Sequence, residues 1–370
     1  MNKRFFLMSL LLLLACSNGE EENPRQRLSA AEVLGSSDVE GFLRASEPRR
    51  FNFPQDHAAH PGFRNEWWYF TGNLETHNGR RFGYQVTFFS SAIRPDADDN
   101  CEVGNAWCTN AIWMGHAAIS DISSETHMAA EIFSRQEPGL AGATLNPFRV
   151  WINDWQLFSA DNEFPWELEV ITDEFALSLN LTAEKSPVLQ GTNGLSQKTP
   201  EAGNASYYYS VTRIDTRGQV YLDDQRHEVN GTSWLDREWS TSALGADQTG
   251  WDWFSLQLDD GKELMYYQLR DTNGNAHPNS GGNLTSLMGT QSAITPQQMR
   301  LEEETYWQAP DGKQYTIGWH MIFQENDWLI QAVFDDQLMD VTFQYWEGAV
   351  EVLDSSSGVL VGRGYLEMVR

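Results

Sequence analysis

Apolar residues in this chain recur at every second position, and long stretches with apolar residues every third or fourth position are nearly absent. That period is the signature of extended chain with two unlike faces. The clearest case runs over residues 175–182. Phe175, Leu177, Leu179 and Leu181 fall on one side, and Ala176, Ser178, Asn180 and Thr182 on the other. Such a strand belongs half-buried in an antiparallel sheet. Turn chemistry separates similar runs. His77-Asn78-Gly79 lies between 67–74 and 82–89, and Asp259-Asp260-Gly261 between 253–258 and 263–270. Both read as hairpins, as do 207–214 and 219–222 around Gly218. Further strands are predicted at 112–121, 148–158, 315–323, 328–334, 340–346 and 349–353. Residues 91–110 read as an excursion from the sheet and 185–204 as a loop. A chain of 370 residues with this many short strands exceeds one small barrel. The expectation is an all-β protein of two tandem antiparallel barrels, 51–230 and 231–370.

The start of the chain reads as an address. Lys3 and Arg4 precede an apolar run over 5–14, too short to span a bilayer, which ends in Leu13-Leu14-Ala15-Cys16. This order resembles a bacterial lipobox, in which the cysteine thiol is lipidated. Residues 1–16 are then a lipoprotein signal peptide and Cys16 the anchor to a membrane of the cell envelope. Ser17, in place of Asp, favours the outer membrane. Residues 17–50 read as a flexible tether with one short helix near 29–34. Cys101 and Cys108 are close enough to close a small disulfide loop, with reduced thiols as the alternative. The formal net charge of −27 argues against nucleic acid as a partner, and against electrostatic adhesion to anionic lipid.

Charge and indole concentrate in Gly231-Thr-Ser-Trp234-Leu-Asp236-Arg237-Glu238-Trp239-Ser240 and in Gly250-Trp251-Asp252-Trp253-Phe254. An echo lies upstream at Asp56-His57-Ala-Ala-His60 and Glu66-Trp67-Trp68. On a strand, Trp234, Asp236 and Glu238 share one face and Arg237 takes the other. Two readings stand. These stretches form the floor or mouth of an apolar cavity, or they are a charged plug closing a barrel end. In the first, two nearby acids beside indoles can separate into acid and base roles, with Asp236, Glu238 and Asp252 as the candidates. Trp67, Trp68, Trp239, Trp251 and Trp253 would line the cavity, and Arg237 could meet a carboxylate. His57, His60 and His116 with Glu66 offer metal-ligand types, but no helical metal motif accompanies them, so no metal is expected. Nucleophile-elbow, phosphate-loop and dinucleotide motifs are absent, so no cofactor is expected either.

Several stretches together carry a family resemblance. They are Phe53-Pro54-Gln-Asp56-His57 with His60, Glu66-Trp-Trp-Tyr-Phe-Thr-Gly72, Gly115-His116-Ala-Ala-Ile-Ser120-Asp121, Gly194-Leu-Ser-Gln-Lys198, Ala205-Ser-Tyr-Tyr-Tyr-Ser210, the two central stretches, Tyr345-Trp-Glu-Gly and Gly364-Tyr-Leu-Glu367. The sequence resembles AttH-like proteins and bacterial carotenoid 1,2-hydratases, a group of secreted hydrolase-like proteins. The resemblance implies two lipocalin-like barrels with a ligand pocket at their apposition, and chemistry on polyenes in which a carboxylic acid protonates an alkene. It implies a Tyr-x-Asp on the strand after the central stretch. Here Tyr266 matches and Gln268 stands in place of the acid. With that acid missing, the expectation is a lipid-anchored envelope protein that binds an apolar small molecule, a lipid or isoprenoid, in a pocket that includes Tyr266, Glu66, His57, His60 and His116. The alternatives are a cofactor-free hydratase or hydrolase acting on an isoprenoid or polyene, and a structural factor of the envelope.

Overall fold

The structure is a computed structural model that describes residues 39–95, 109–242 and 244–370. Cys16, Cys101, Cys108, the apolar run 5–14 and the helix expected at 29–34 lie outside the described residues.

The described chain is all-β apart from one 3-10 turn at Gln55–His57. The strands of the first half are β1 (Asn65–Thr76), β2 (Arg81–Ala92), β3 (Ala111–Asp121), β4 (Thr126–Arg135), β5 (Ala141–Leu145), β6 (Phe148–Ile152), β7 (Trp155–Ser159), β8 (Trp166–Ile171), β9 (Phe175–Ala183), β10 (Val188–Leu189), β11 (Leu195–Gln197), β12 (Ala205–Leu222) and β13 (Gln225–Ser240). Those of the second are β14 (Gln248–Leu258), β15 (Glu263–Asp271), β16 (Gly281–Thr285), β17 (Gln291–Ile294), β18 (Met299–Gln308), β19 (Gln314–Phe323), β20 (Asn326–Ala332), β21 (Leu338–Met339), β22 (Tyr345–Asp354) and β23 (Leu360–Val369). They form two antiparallel sheets. The first runs β4-β3-β2-β1-β13-β12-β9-β8-β7-β6-β5 and the second β17-β16-β15-β14-β23-β22-β20-β19-β18. One curls into a nearly closed barrel and the other into a half-barrel, the tandem lipocalin-like arrangement.

The hairpins at 77–79 and 259–261 form as expected, joining β1 to β2 and β14 to β15. The one expected at Gly218 does not. Residues 205–222 are a single strand, and the reversal comes at Asp223-Asp224, whose φ angles of 53° and 58° are those of a tight hairpin turn. Gly218 serves another purpose, because a Cβ there would lie 2.1 Å from the Ser178 carbonyl oxygen of β9. A division at 230/231 would cut β13. That strand pairs along its length with β1 and β12, so the central stretch belongs to the first sheet and the changeover falls between Ser240 and Gln248. Nor is the whole of 17–50 a tether. Ala45 is fully buried, the Leu43 amide donates to the Gly62 carbonyl at 2.8 Å, and Tyr207 Oη donates to the Glu47 carbonyl at 3.0 Å.

The three larger of four apolar clusters among the described residues explain most of the burial patterns. One fills the first barrel (Trp68, Phe70, Leu235, Trp239 among others) and one the second sheet (Phe254, Tyr266, Trp319, Trp346). The third lies between the sheets and contains Tyr69, Tyr208, Trp234, Trp253, Met265 and Tyr365. β1, β13, β14 and β23 are therefore covered on both faces, one against a barrel interior and the other against the opposing sheet.

Candidate functional site

The two faces of β13 do different things. Trp234, Asp236 and Glu238 point toward the second sheet, while Leu235, Arg237 and Trp239 point into the first barrel. The first face floors a cavity of about 380 Å3 between the sheets. Its walls are mainly apolar and aromatic, including Trp67, Phe89, Met114, Trp251, Trp253 and Tyr267. The size suits a small ligand.

Two carboxyl groups in the wall are held away from their ordinary range. Asp236 Oδ1 accepts from Trp234 Nε1 at 2.7 Å and from the Ser210 hydroxyl, and Oδ2 accepts from Tyr208 Oη. Burial pushes its pKa up to about 7, with Glu238 nearby adding to the rise and the three donors opposing it. Glu367, on β23, accepts from Trp251 Nε1 at 2.6 Å. Burial raises it also to about 7, helped by the charges of Asp236 and Glu238. Behind it Glu347 on β22 accepts from Tyr69 Oη. Burial holds Glu347 well above the usual carboxylate range, and Glu367 reinforces this. Glu238 instead has a cation, with Lys198 Nζ at 3.1 Å. That ammonium also donates to Ser196 Oγ at 3.0 Å and sits 4.6 Å from the centre of the Tyr267 ring. Burial works against its charge, but Glu238 and its neighbours outweigh it and the Lys198 pKa is raised. On the far wall His116 bridges Tyr345 Oη (2.9 Å) and Glu131 Oε1 (3.0 Å).

The other face of β13 closes the barrel end. Arg237 is fully buried, 2.6 Å from Glu66 Oε1, and donates to the carbonyls of Trp67 and Ala58. Its guanidinium lies 3.7 Å from the centre of the Trp68 ring. His60 stacks on Trp239 at 3.6 Å, with Nδ1 on Glu66 (2.6 Å) and Nε2 on Asp56 (3.1 Å). His57 Nδ1 meets Tyr209 Oη at 2.6 Å, and burial together with the Arg237 charge lowers its pKa to about 3. His57 is thus neutral throughout the physiological range. Its ring-proton NMR resonances should stay fixed between pH 5 and 8, and a midpoint near 6.5 would show that the plug admits water.

Cavity and plug are therefore both present, back to back on one strand. The cavity receives Asp236, Glu238, Trp67, Trp251, Trp253 and His116. The plug takes Glu66, His57, His60, Trp68, Arg237 and Trp239, which do not reach the cavity. Asp252 and Tyr266 lie in the interior of the second sheet. There Asp252 is fully buried between Arg270 Nη2 (2.7 Å) and Arg370 Nη2 (2.6 Å), an ion-paired core group rather than an acid facing a ligand. The alternation on β14 and β15 places Trp251, Trp253 and Tyr267 outward and these two inward. Glu347, Glu367, Tyr69, Tyr208 and Lys198 were missed as site residues, although each falls in a stretch that carries the family resemblance. The same count by two that placed Asp236 puts Glu367 on the face opposite Leu366 and Met368.

The histidines do not gather into a metal site, because His116 lies across the sheet from His57 and His60. Among the described residues, the side chains that come within metal-binding reach of one another are Glu302, Glu304 and His320, remote from the cavity on the outer face of β18 and β19.

A model of the AttH-like family matches residues 44–369. No match was found among curated proteins. Among solved structures, an AttH candidate from Nitrosomonas europaea is 31% identical, with a TM-score of 0.78 over 89% of this chain and 99% of its own. Kievitone hydratase from Nectria haematococca shares the fold at 12% identity, with a TM-score of 0.65 over 89% and 98%. CghA in complex with Sch210972, also 12% identical, gives a TM-score of 0.53 over 93% and 97%. With a family model covering nearly the whole described chain, the protein belongs to the AttH-like family.

Proposed function

We propose that this protein is a cofactor-free enzyme that protonates an apolar unsaturated substrate, such as a polyene or isoprenoid, in the cavity between its two sheets and adds water to it. The observation that carries this reading is the placing of two carboxyl groups poised near neutral pH, Asp236 from the first sheet and Glu367 from the second, in one aromatic cavity. A passive pocket for an oil gains nothing from partly protonated acids, whose burial costs stability. An alkene has no basic atom, so its hydration needs a proton donor near neutrality and a second group to take a proton from water.

Glu367 suits the donor. Its carboxyl has one strong donor contact, from Trp251, and its other oxygen is available to carry the proton. Asp236 suits the base, since three donors stabilise its anion. In the forward reaction the alkene π pair takes the Glu367 proton and leaves a carbocation on the neighbouring carbon. Water adds its lone pair to that carbon and gives a proton to Asp236. Transfer of that proton back to Glu367 restores both groups, and the sum is addition of one water. The faces of Trp67, Trp253 and Tyr267 can stabilise the cation while excluding bulk water. A fold neighbour named as a hydratase supports the reading at the level of architecture.

The apolar lining favours a second reading, a carrier that binds the same molecules unchanged. Incubation with a panel of isoprenoids and polyenes in water enriched in oxygen-18 separates the two. The enzyme yields products heavier by one labelled water. Tryptophan quenching by ligand with no labelled product at any pH would leave the carrier. Anchoring of the chain to the outer membrane through Cys16 remains part of the proposal, and labelling with a radioactive fatty acid that is lost on Cys16→Ser tests it.

A further inference from the structure

We infer that the open end of the cavity docks on the surface of a lipid bilayer, from which the pocket takes its ligand directly. Four of the twelve large apolar side chains that are exposed among the described residues cluster at this one end: Leu43 (55% exposed), Ile93 (51%), Ile112 (39%) and Phe133 (50%). Their placement follows from the register. Ile112 pairs with Ser91, the Ile93 amide donates to the Asn110 carbonyl at 2.8 Å, and Phe133 lies diagonally across from Ile112 on β4. Ile112 and Phe133 are themselves part of the cavity wall, and Ile93 follows two places after Ser91, which lines it too. They form a lip that continues the apolar lining outward into solvent. Water-soluble proteins rarely leave such a continuous patch uncovered.

Two observations commit the lip to lipid. The first is the course of the chain. Leu43 is fixed at this end by its amide to the Gly62 carbonyl and by Thr241 Oγ1 donating to its own carbonyl. The sequence before the described residues, which includes the apolar run 5–14 and Cys16, therefore joins the body beside the lip. The second is the cavity. A ligand matched to an aromatic, apolar chamber partitions into membrane, so a mouth facing water would meet almost none of it. The border of this patch carries both signs, with Arg94 beside Ile93, Arg135 directly across from Ile112, and Asp96, Asp98 and Asp99 next along the sequence. With a net charge of −27, the contact rests on the apolar lip, and it needs no anionic lipid.

Hydrogen–deuterium exchange of the full chain, with and without phosphatidylcholine vesicles, tests this without any pocket ligand, so its outcome is independent of the chemistry proposed above. Slowed exchange is expected in peptides covering 39–47, 91–95, 110–114 and 132–136, and unchanged exchange at the remote ends of β18 and β19. The double substitution Leu43→Asp with Ile93→Asp, at positions outside the cavity wall, should abolish that slowing while leaving the melting temperature in place. Equal exchange of those peptides with and without vesicles, or protection that survives the double substitution, would overturn the inference.

Discussion

Replacing Glu367 with Gln should lower turnover on an unsaturated substrate by about 10²- to 10⁴-fold while tryptophan quenching still reports a bound ligand. Asp236→Asn should cost a similar factor by removing the other partner of the proton cycle. The pH profile carries the assignment. Glu367 works protonated, so activity is lost as pH rises through about 7. Asp236 works ionised, so activity is lost as pH falls through about 7. The product is a narrow bell centred near neutrality, whose two limbs belong to the coupled pair. Removing the donor that holds Glu367 down, with Trp251→Phe, should carry the upper limb to higher pH. Tyr208→Phe removes a donor from Asp236 and should carry the lower limb upward instead. If the two substitutions move the opposite limbs, acid and base are exchanged; if Glu367→Gln keeps full turnover, this carboxyl is not the donor. Stability should respond the other way. A carboxyl raised in the folded protein binds more protons there than in the unfolded chain between its ordinary value and about 7, so stability falls as pH rises through that window. Carrying one carboxyl from 3.8 to about 7 corresponds to about 4 kcal/mol above neutrality. At pH 8, Asp236→Asn should therefore raise the melting temperature while it lowers turnover, the exchange expected of a site that stores unfavourable charge.

How much of this was legible in the sequence depended on how many faces of a strand are covered. On β9, one face meets solvent and the alternation of Phe175, Leu177, Leu179 and Leu181 states its place outright. β1, β13, β14 and β23 are covered on both faces, so their sequences mix indoles, acids and arginine without a polar side. Counting by two still separated Asp236 and Glu238 from Arg237, but it could not say which side held the cavity. Trp68 and Trp239 were therefore assigned to the wall with Trp67 and Trp251, although they fill the first barrel. Asp252 was assigned from its neighbours Trp251 and Trp253, whose side chains point the opposite way from its own. The Gly218 hairpin failed because a glycine that turns the chain and one that makes room for a neighbouring carbonyl look alike in sequence. Glu347 and Glu367 lie more than 100 residues from Asp236 along the chain, and Glu367 shares its cavity only because β22 and β23 close against β2 and β1. No local pattern carries that pairing.

The same reasoning makes Arg237 the residue whose loss should harm folding most. Its guanidinium has no exposed surface, and it holds the Glu66 carboxylate, the Ala58 and Trp67 carbonyls and the face of Trp68 together. Arg237→Ala leaves Glu66 buried with His60 as its remaining side-chain partner and opens a void under Trp68. Removing one member of such a pair costs about 3–5 kcal/mol. For a barrel of this size that lowers the first thermal transition by roughly 10 °C. Arg237→Lys should recover only part, because an ammonium cannot lie flat on Trp68 while reaching all three oxygens. The double change Arg237→Met with Glu66→Gln removes both charges and should lie well above Arg237→Ala in stability, and its cycle with the single changes Arg237→Met and Glu66→Gln isolates the pair. Ligand affinity measured below the transition should stay at its wild-type value, since Arg237 faces away from the cavity that Asp236 faces. An Arg237→Ala protein that melts normally and has lost its ligand would place the guanidinium in the binding site after all, and would make the barrel end, rather than the chamber between the sheets, the place where a carboxylate-bearing guest is held.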